Sequence, residues 1–421
     1  MNTALAAPVP LEHTGMCDAS AAIAVGGDHF LVANDEDNIL RLYSGAQSGK
    51  ALQEFVIPSL PVLPGVKHGE VDIEGAARVG KRIYWIASHG SNRKGEARPH
   101  RRQFFATDVD LIDGKLTLVQ AGDSYTDLLA AMDKHPDLKK FALLKAAQIA
   151  PEGDGGLNIE GLAATPNGAL LIGFRNPLSG AKALLLTLEN PDKVLGIGGS
   201  PKAAPVFGKP IELALDGLGI RSIEYAETLK SYLIVAGPHQ AGGAFKVFKW
   251  SGDAGSAPEL LKIDFQGSLR PEAFFALSDG KGFRVLSDDG DEKVAGRNCK
   301  DAAPALQKFR SLDYAVPASA MTPVAALARA IAVAATAPAT AATPGAAPAC
   351  TTVMEKPFAK EKVRLARAKG LDAKANFAVF KAPLAVNTDG APTSYHPDDY
   401  TGRVKALNHL DNAISSRPWL P

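Results

Sequence analysis

Five acidic residues recur at one phase of a repeating phrase in this chain: Asp18, Glu74, Glu160, Glu224 and Glu272. Each opens a small apolar run, a Gly- or Lys-containing turn, a strand-like apolar run and a polar cluster. The third copy reads EGLAATPNGALLIGFRNP and the fifth EAFFALSDGKGFRVLSDDG. Residues that repeat at one position of a ring of repeats converge, and converging carboxylates repel strongly unless a cation joins them. Two compensations are open. Several carboxylates with a nearby amide such as Asn34 form the hard-oxygen set that Ca²⁺ selects, in roughly six- to eightfold coordination. Arg175 and Arg221 offer the other, a purely structural ion network.

The second repeat is the richest in chemistry. In HGEVDIEG, His68, Glu70, Asp72 and Glu74 alternate, which on a strand places all four on one face. His89 then opens HGSNRKGEARPHRR, a loop carrying Arg93, Lys94, Arg98, Arg101 and Arg102. Arginine forks bind planar anions bidentately, so Arg93, Arg98 and Arg175, with His239, are the candidate contacts to a small phosphate- or carboxylate-bearing ligand. If the site is catalytic, His89 is the base and Glu74 its acidic partner, with Glu74, Glu160, Asp18, Glu224, Glu272 and Asn34 as metal ligands. The plainer readings are a solvated basic loop and a hydrogen-bonding histidine. There is no Gly-x-Ser-x-Gly elbow, no Walker loop, no His-Glu-x-x-His and no zinc-type cysteine spacing, so no sharper reaction class is indicated.

The elements that must position these residues are strands. In the third copy Leu162–Ala164 runs through Pro166-Asn167-Gly168, a turn signature, into Leu170–Gly173. Further strands are predicted at Ile39–Tyr43, Gln103–Thr107, Ala183–Thr187 and Phe245–Trp250. Three or four strands in about 50 residues is the arithmetic of a propeller blade. The fold class is therefore all-β, a propeller of five to seven blades. Six is preferred, because five copies are visible and the gap before Glu160 has room for another. A β-sandwich sharing the same punctuation is the alternative. Between about Ala121 and Gly156, N-cap candidates and apolar spacing predict two short helices. Residues 15–317 form the propeller, 318–349 an Ala/Pro/Thr-rich linker, and 350–421 a small C-terminal segment.

Composition narrows the partners. With 46 basic and 45 acidic residues in 421, the net charge is +1, and nothing steers the chain toward nucleic acid. The longest uncharged apolar stretch, 331–349, is Ala, Pro and Thr, which reads as linker and not as a membrane span. A monomer is expected. Ala4 to Pro8 resembles the end of a secretory signal whose earlier part is missing, or an ordinary Ala-rich terminus within residues 1–14, so the compartment is periplasmic or extracellular in the first case and cytoplasmic in the second. Ring closure would bring Cys17 and Cys299 together as a disulfide, while separate buried thiols are the alternative; Cys350 is left over.

The phrases CDASAAIAV, FLVANDEDNILRLY, DIEGAARVGKRIYWIASHGSNRKGEARPHRRQFFAT and NIEGLAATPNGALLIGFRNPL resemble a bacterial family catalogued as domain of unknown function 3616, over roughly residues 15 to 316. That resemblance implies a propeller-like fold and many exported members, with no established substrate. More distantly, the EGLA-then-strand phrase is similar to phytase-like esterases, gluconolactonases and regucalcin-type propellers, in which a Glu before Gly at the channel mouth holds a divalent metal. The resemblance points to Glu74 and Glu160, and Glu224 and Glu272 lack the following Gly. In the tail, AVNTDGAP, YHP and LNHLDNA are similar to the opening of domains related to family 75 chitosanases, with Asp389 the acid of interest and an Asp-Gly turn the plain reading. The functional expectation is a ligand-binding module with an acid-lined channel, or else a metal-dependent phosphate- or carboxylate-ester hydrolase.

Overall fold

In a computed structural model of the chain, residues 9–57, 60, 69–112, 115–199, 201–240 and 242–317 are described. The linker, the C-terminal segment with Asp389, and His68 lie outside the described residues. The strands form five blades, antiparallel except where the short Gly49–Lys50 pairs parallel with Leu11–Thr14 at the edge of the fifth. Their innermost strands are Ala19–Gly26, Ile73–Val79, Asn158–Ala164, Gly219–Ala226 and Pro271–Ala276, and each packs against the next to close a ring.

Blades one to four take their strands in chain order from the axis outward. The fifth is composite. Its inner strands Pro271–Ala276 and Gly282–Ser287 are followed by Lys308–Ala315 and then by the N-terminal strand Leu11–Thr14, paired antiparallel with Leu11 opposite Ser311. A disulfide between Cys17 and Cys299 fastens the same seam.

Five hydrophobic clusters fill the five clefts between blades, because each sheet is apolar on both faces. Trp85 and Phe105 stack in the cleft between the first two blades, and His13, Phe30, Tyr43 and Phe309 form an aromatic group at the seam. The largest of the five clusters takes in the insertion.

Among the described residues the preferred sixth blade is not present. Where it was expected, Leu128–Lys134 and Leu143–Ala146 are α-helical with a 3-10 turn over Pro136–Phe141 between them. Leu128, Leu129, Met132, Leu138 and Leu143 are all sealed from solvent against the cleft between the second and third blades. The apolar periodicity that predicts the helices also accounts for the residues that a further blade would have needed.

Candidate functional site

Each inner strand carries one β-bulge near its start. The extra residues are Ser20, Glu74, Glu160, Arg221 and Glu272, one per blade. A bulge leaves its residue out of the ladder and re-aims the side chain, here so that the bulge residues of neighbouring inner strands approach one another. The residue after it is always small: Ala21, Gly75, Gly161, Ser222 and Ala273. Close approach of neighbouring inner strands explains this. A Cβ on Gly161 would lie 2.8 Å from Ile220 Cγ2 in the next blade, and one on Gly75 would lie 2.9 Å from Leu162 Cβ.

The carboxylates of Glu74, Glu160 and Glu272 come within 4.8 Å of one another, and all three are buried. Arg221 stands in the same ring and pairs with Glu272 and with Glu160, at 3.1 Å from Nε to Oε2. Arg175 donates to Glu160 Oε1 at 3.0 Å and to the Pro238 carbonyl at 3.2 Å. Glu74 differs from the other two. It is 8% exposed and has no hydrogen bond or ion pair among the described residues. Burial, then the charges of Asp72 and Glu160, push its carboxyl well above the usual range, against the pull of Arg221 and Arg175.

A second group of acids adjoins the ring. Asp18, Asp35 and Glu36 also bring carboxylate oxygens within 4.8 Å. Asp18 sits just before the first inner strand, and Asp35 and Glu36 lie in the turn between the next two strands of that blade. Burial and the neighbouring Asp288 raise the Asp18 carboxyl to about 8, although Lys300 opposes the shift.

The predicted residues thus divide. Glu74, Glu160 and Glu272 meet in one cluster, and Asp18 belongs to the neighbouring group with Asp35 and Glu36. Glu224 is three residues past the bulge, at the other end of the channel. There it accepts the Ala276 N–H and lines a cavity of about 250 Å³ with Arg78, Thr165 and Glu227. Burial lifts its carboxyl to about 8. Asn34 shapes the turn, its Oδ1 accepting the Glu36 N–H and its Nδ2 donating to Asp37. The alternation of HGEVDIEG breaks at Asp72, whose φ is +60°, so Glu70 and Asp72 face Arg101 while Glu74 enters the channel.

His89 is 1% exposed, with Nδ1 2.7 Å from the Ala87 carbonyl and Nε2 enclosed without a partner. Burial, with Arg102 nearby, lowers its pKa to about 4, so the ring is neutral at pH 7. Arg98 pairs with Glu96 on the surface, Arg93 is exposed, and His239 meets Asp154 at 3.2 Å. Ser20 and Lys300 are members of the mouth that the sequence did not single out, whereas Arg221 stands there as one of the two arginines expected to compensate the acids.

A family model described as "Protein of unknown function (DUF3616)" matches residues 18–111 and 107–282. The chain belongs to this family. The match to DUF3616 spans all five inner strands and the acidic mouth, so the ring is part of the family domain. No curated protein matches the chain. Among solved structures, glutaminyl cyclase from Myxococcus xanthus is similar at 11% identity and a TM-score of 0.36, covering 73% of this chain and 95% of that one. The PQQ-bound aldose sugar dehydrogenase from Streptomyces coelicolor is similar at 12% identity and a TM-score of 0.37, covering 73% and 100%. YCF48 from Cyanidioschyzon merolae is similar at 10% identity and a TM-score of 0.29, covering 74% and 69%. Likeness at this level carries no functional argument, and the five-bladed architecture of this DUF3616 protein rests on its own sheets.

Proposed function

We propose that this propeller is a ligand-binding module of an oxidising compartment, and that its acid-lined channel mouth receives a small ligand bearing a positive charge. Glu74 carries the reading. A buried carboxylate without a partner costs free energy that a cationic group from outside would recover. The compartment is supported by the Cys17–Cys299 bridge, since such bonds persist in oxidising surroundings.

Ca²⁺ at the Glu74–Glu160 ring, which the resemblance implies, fits the oxygen donors but not the charge. Arg221 and Arg175 already hold Glu160, and Arg221 holds Glu272, so a divalent ion would have to displace a guanidinium. Arg175 is likewise committed to Glu160 and the Pro238 carbonyl, which favours a cationic over an anionic ligand at this end. Binding is favoured over ester hydrolysis because His89, the base that hydrolysis would use, is enclosed and faces a backbone carbonyl.

The test is a thermal-shift and calorimetric panel of small amines, guanidines and quaternary ammonium compounds against matched carboxylates and phosphates. Stabilisation by members of the cationic set, lost in Glu74→Gln, is expected. Stabilisation by anions alone, or equal binding by the Glu74→Gln protein, would overturn the reading.

A further inference from the structure

We infer that Asp18, Asp35 and Glu36 form a Ca²⁺ site at the seam of the ring, distinct from the glutamates of the channel. The inference rests on these residues and not on the ligand proposed for Glu74.

Asp18 supplies the first observation. It is 5% exposed, yet its carboxylate has no hydrogen bond or ion pair among the described residues, and it points into the group it shares with Asp35 and Glu36. Asp35 supplies the second, because its Oδ1 is closed off from solvent and also lacks a partner. Two such oxygens side by side leave a place for a hard cation, which would satisfy both.

The surroundings are arranged around that place. Gly290 leaves room for Asp18, and a Cβ there would collide with the carboxylate. The Asp35–Glu36 turn is fixed from several directions. Asn34 accepts the Glu36 N–H, Arg41 neutralises Asp37 at 2.8 Å, and Asn38 accepts the Val71 N–H. Asp37 is thereby removed from the charge balance, and Asp35 and Glu36 are left to face Asp18. On the other side the Cys17–Cys299 bridge pins the residues before Asp18 and Lys300. Lys300 meets Glu36 at 3.3 Å and is, among the described residues, the one cation paired with this group of three, so negative charge remains in excess there. Three carboxylates on a pinned turn and strand, with oxygens within 4.8 Å of one another and open toward water on the Glu36 side, suit the larger and more flexibly coordinated Ca²⁺ better than Mg²⁺.

The full chain, treated with chelator and then titrated with Ca²⁺ and with Mg²⁺ by calorimetry, tests this. One Ca²⁺ is expected to bind, more tightly than Mg²⁺, and to raise the melting temperature. Asp35→Asn should weaken binding by about tenfold or more, since fewer charged ligands mean lower affinity. Glu36→Gln, on an exposed side chain, should weaken it in the same direction, while Glu74→Gln should leave it within about threefold of the parent. No Ca²⁺ binding, unchanged binding in both Asp35→Asn and Glu36→Gln, or loss confined to Glu74→Gln would each overturn the site. The last result would move the ion to the channel ring. Failure of the amine panel would leave this site standing, and failure here would leave the amine reading standing.

Discussion

Arg221→Met is the sharpest test of the channel ring. In the native chain Arg221 is 7% exposed and is the sole hydrogen-bonding partner of Glu272 among the described residues, while also pairing with Glu160. Methionine keeps much of the volume and removes the charge, which leaves Glu272 buried and unpaired. Two carboxylates at the 4.8 Å limit of the cluster repel by about 3.5 kcal/mol at an effective dielectric constant near 20. Breaking a buried ion pair from one side typically costs about 3–5 kcal/mol, in agreement with that figure. The variant escapes part of the cost by taking up a proton on the ring. The folded variant then holds a proton that the unfolded chain has released at pH 7, so its deficit should grow as pH rises, by up to about 1.4 kcal/mol per unit. Urea denaturation at pH 5.5, 7 and 8.5 measures both quantities. Adding Glu272→Gln should return a large part of the loss. A destabilisation under about 1 kcal/mol, or one independent of pH and unaltered by Glu272→Gln, would refute the view that Arg221 neutralises the ring.

Two further outcomes follow from the seam. His13 is fully enclosed, bonded to Ser311 Oγ at 2.8 Å and stacked on Phe309, and burial followed by the nearby Arg284 lowers its pKa to about 4. The unfolded chain binds that proton near pH 6.5, so the contribution of neutral His13 is complete above 6.5 and is lost as pH falls through about 4, on the order of 3 kcal/mol in all. His13→Phe should reduce the pH slope of unfolding free energy in this window by about one proton, measured by denaturant titration from pH 7 to 4. Replacing both Cys17 and Cys299 with Ser should lower stability by about 2–5 kcal/mol under oxidising conditions, and reductant should then have no further effect on the melting curve.

Much of this architecture was legible in the sequence because blades are local. Turn signatures and apolar runs placed the inner strands and the strands that follow them, and Ile39–Ser44, Ala183–Leu188 and Lys246–Trp250 lie where expected. The helical insertion was visible for the same reason. The ring was only partly legible. Aligning the repeats on an acid picks Asp18 and Glu224, which stand two residues before and three residues after the bulge positions Ser20 and Arg221. Aligning them on the small residue demanded by strand-to-strand contact, Ala21, Gly75, Gly161, Ser222 and Ala273, selects the right register. That register also puts an arginine among the acids. The spacing constraint is steric and holds in every blade, whereas the charge is free to differ from one blade to the next. Asp35 and Glu36 stand out in the sequence as part of the polar run after a strand, but their grouping with Asp18 apart from the glutamates joins a turn to a strand start through tertiary packing alone.

The composite fifth blade also sets an order of events during synthesis. Its strand Leu11–Thr14 is made first and its inner strands last, and the cysteines that lock it are 282 residues apart. At roughly 5–20 residues per second, the N-terminal strand waits on the order of 15–60 s for its partner to be made. Through that interval the exposed edge is open to pairing with the wrong neighbour. A chain whose first strand is delayed, occupied or cut away keeps Pro271–Ala276, Gly282–Ser287 and Lys308–Ala315 but leaves the outer edge of Lys308–Ala315 unpaired at the seam, beside the cysteine that should lock it.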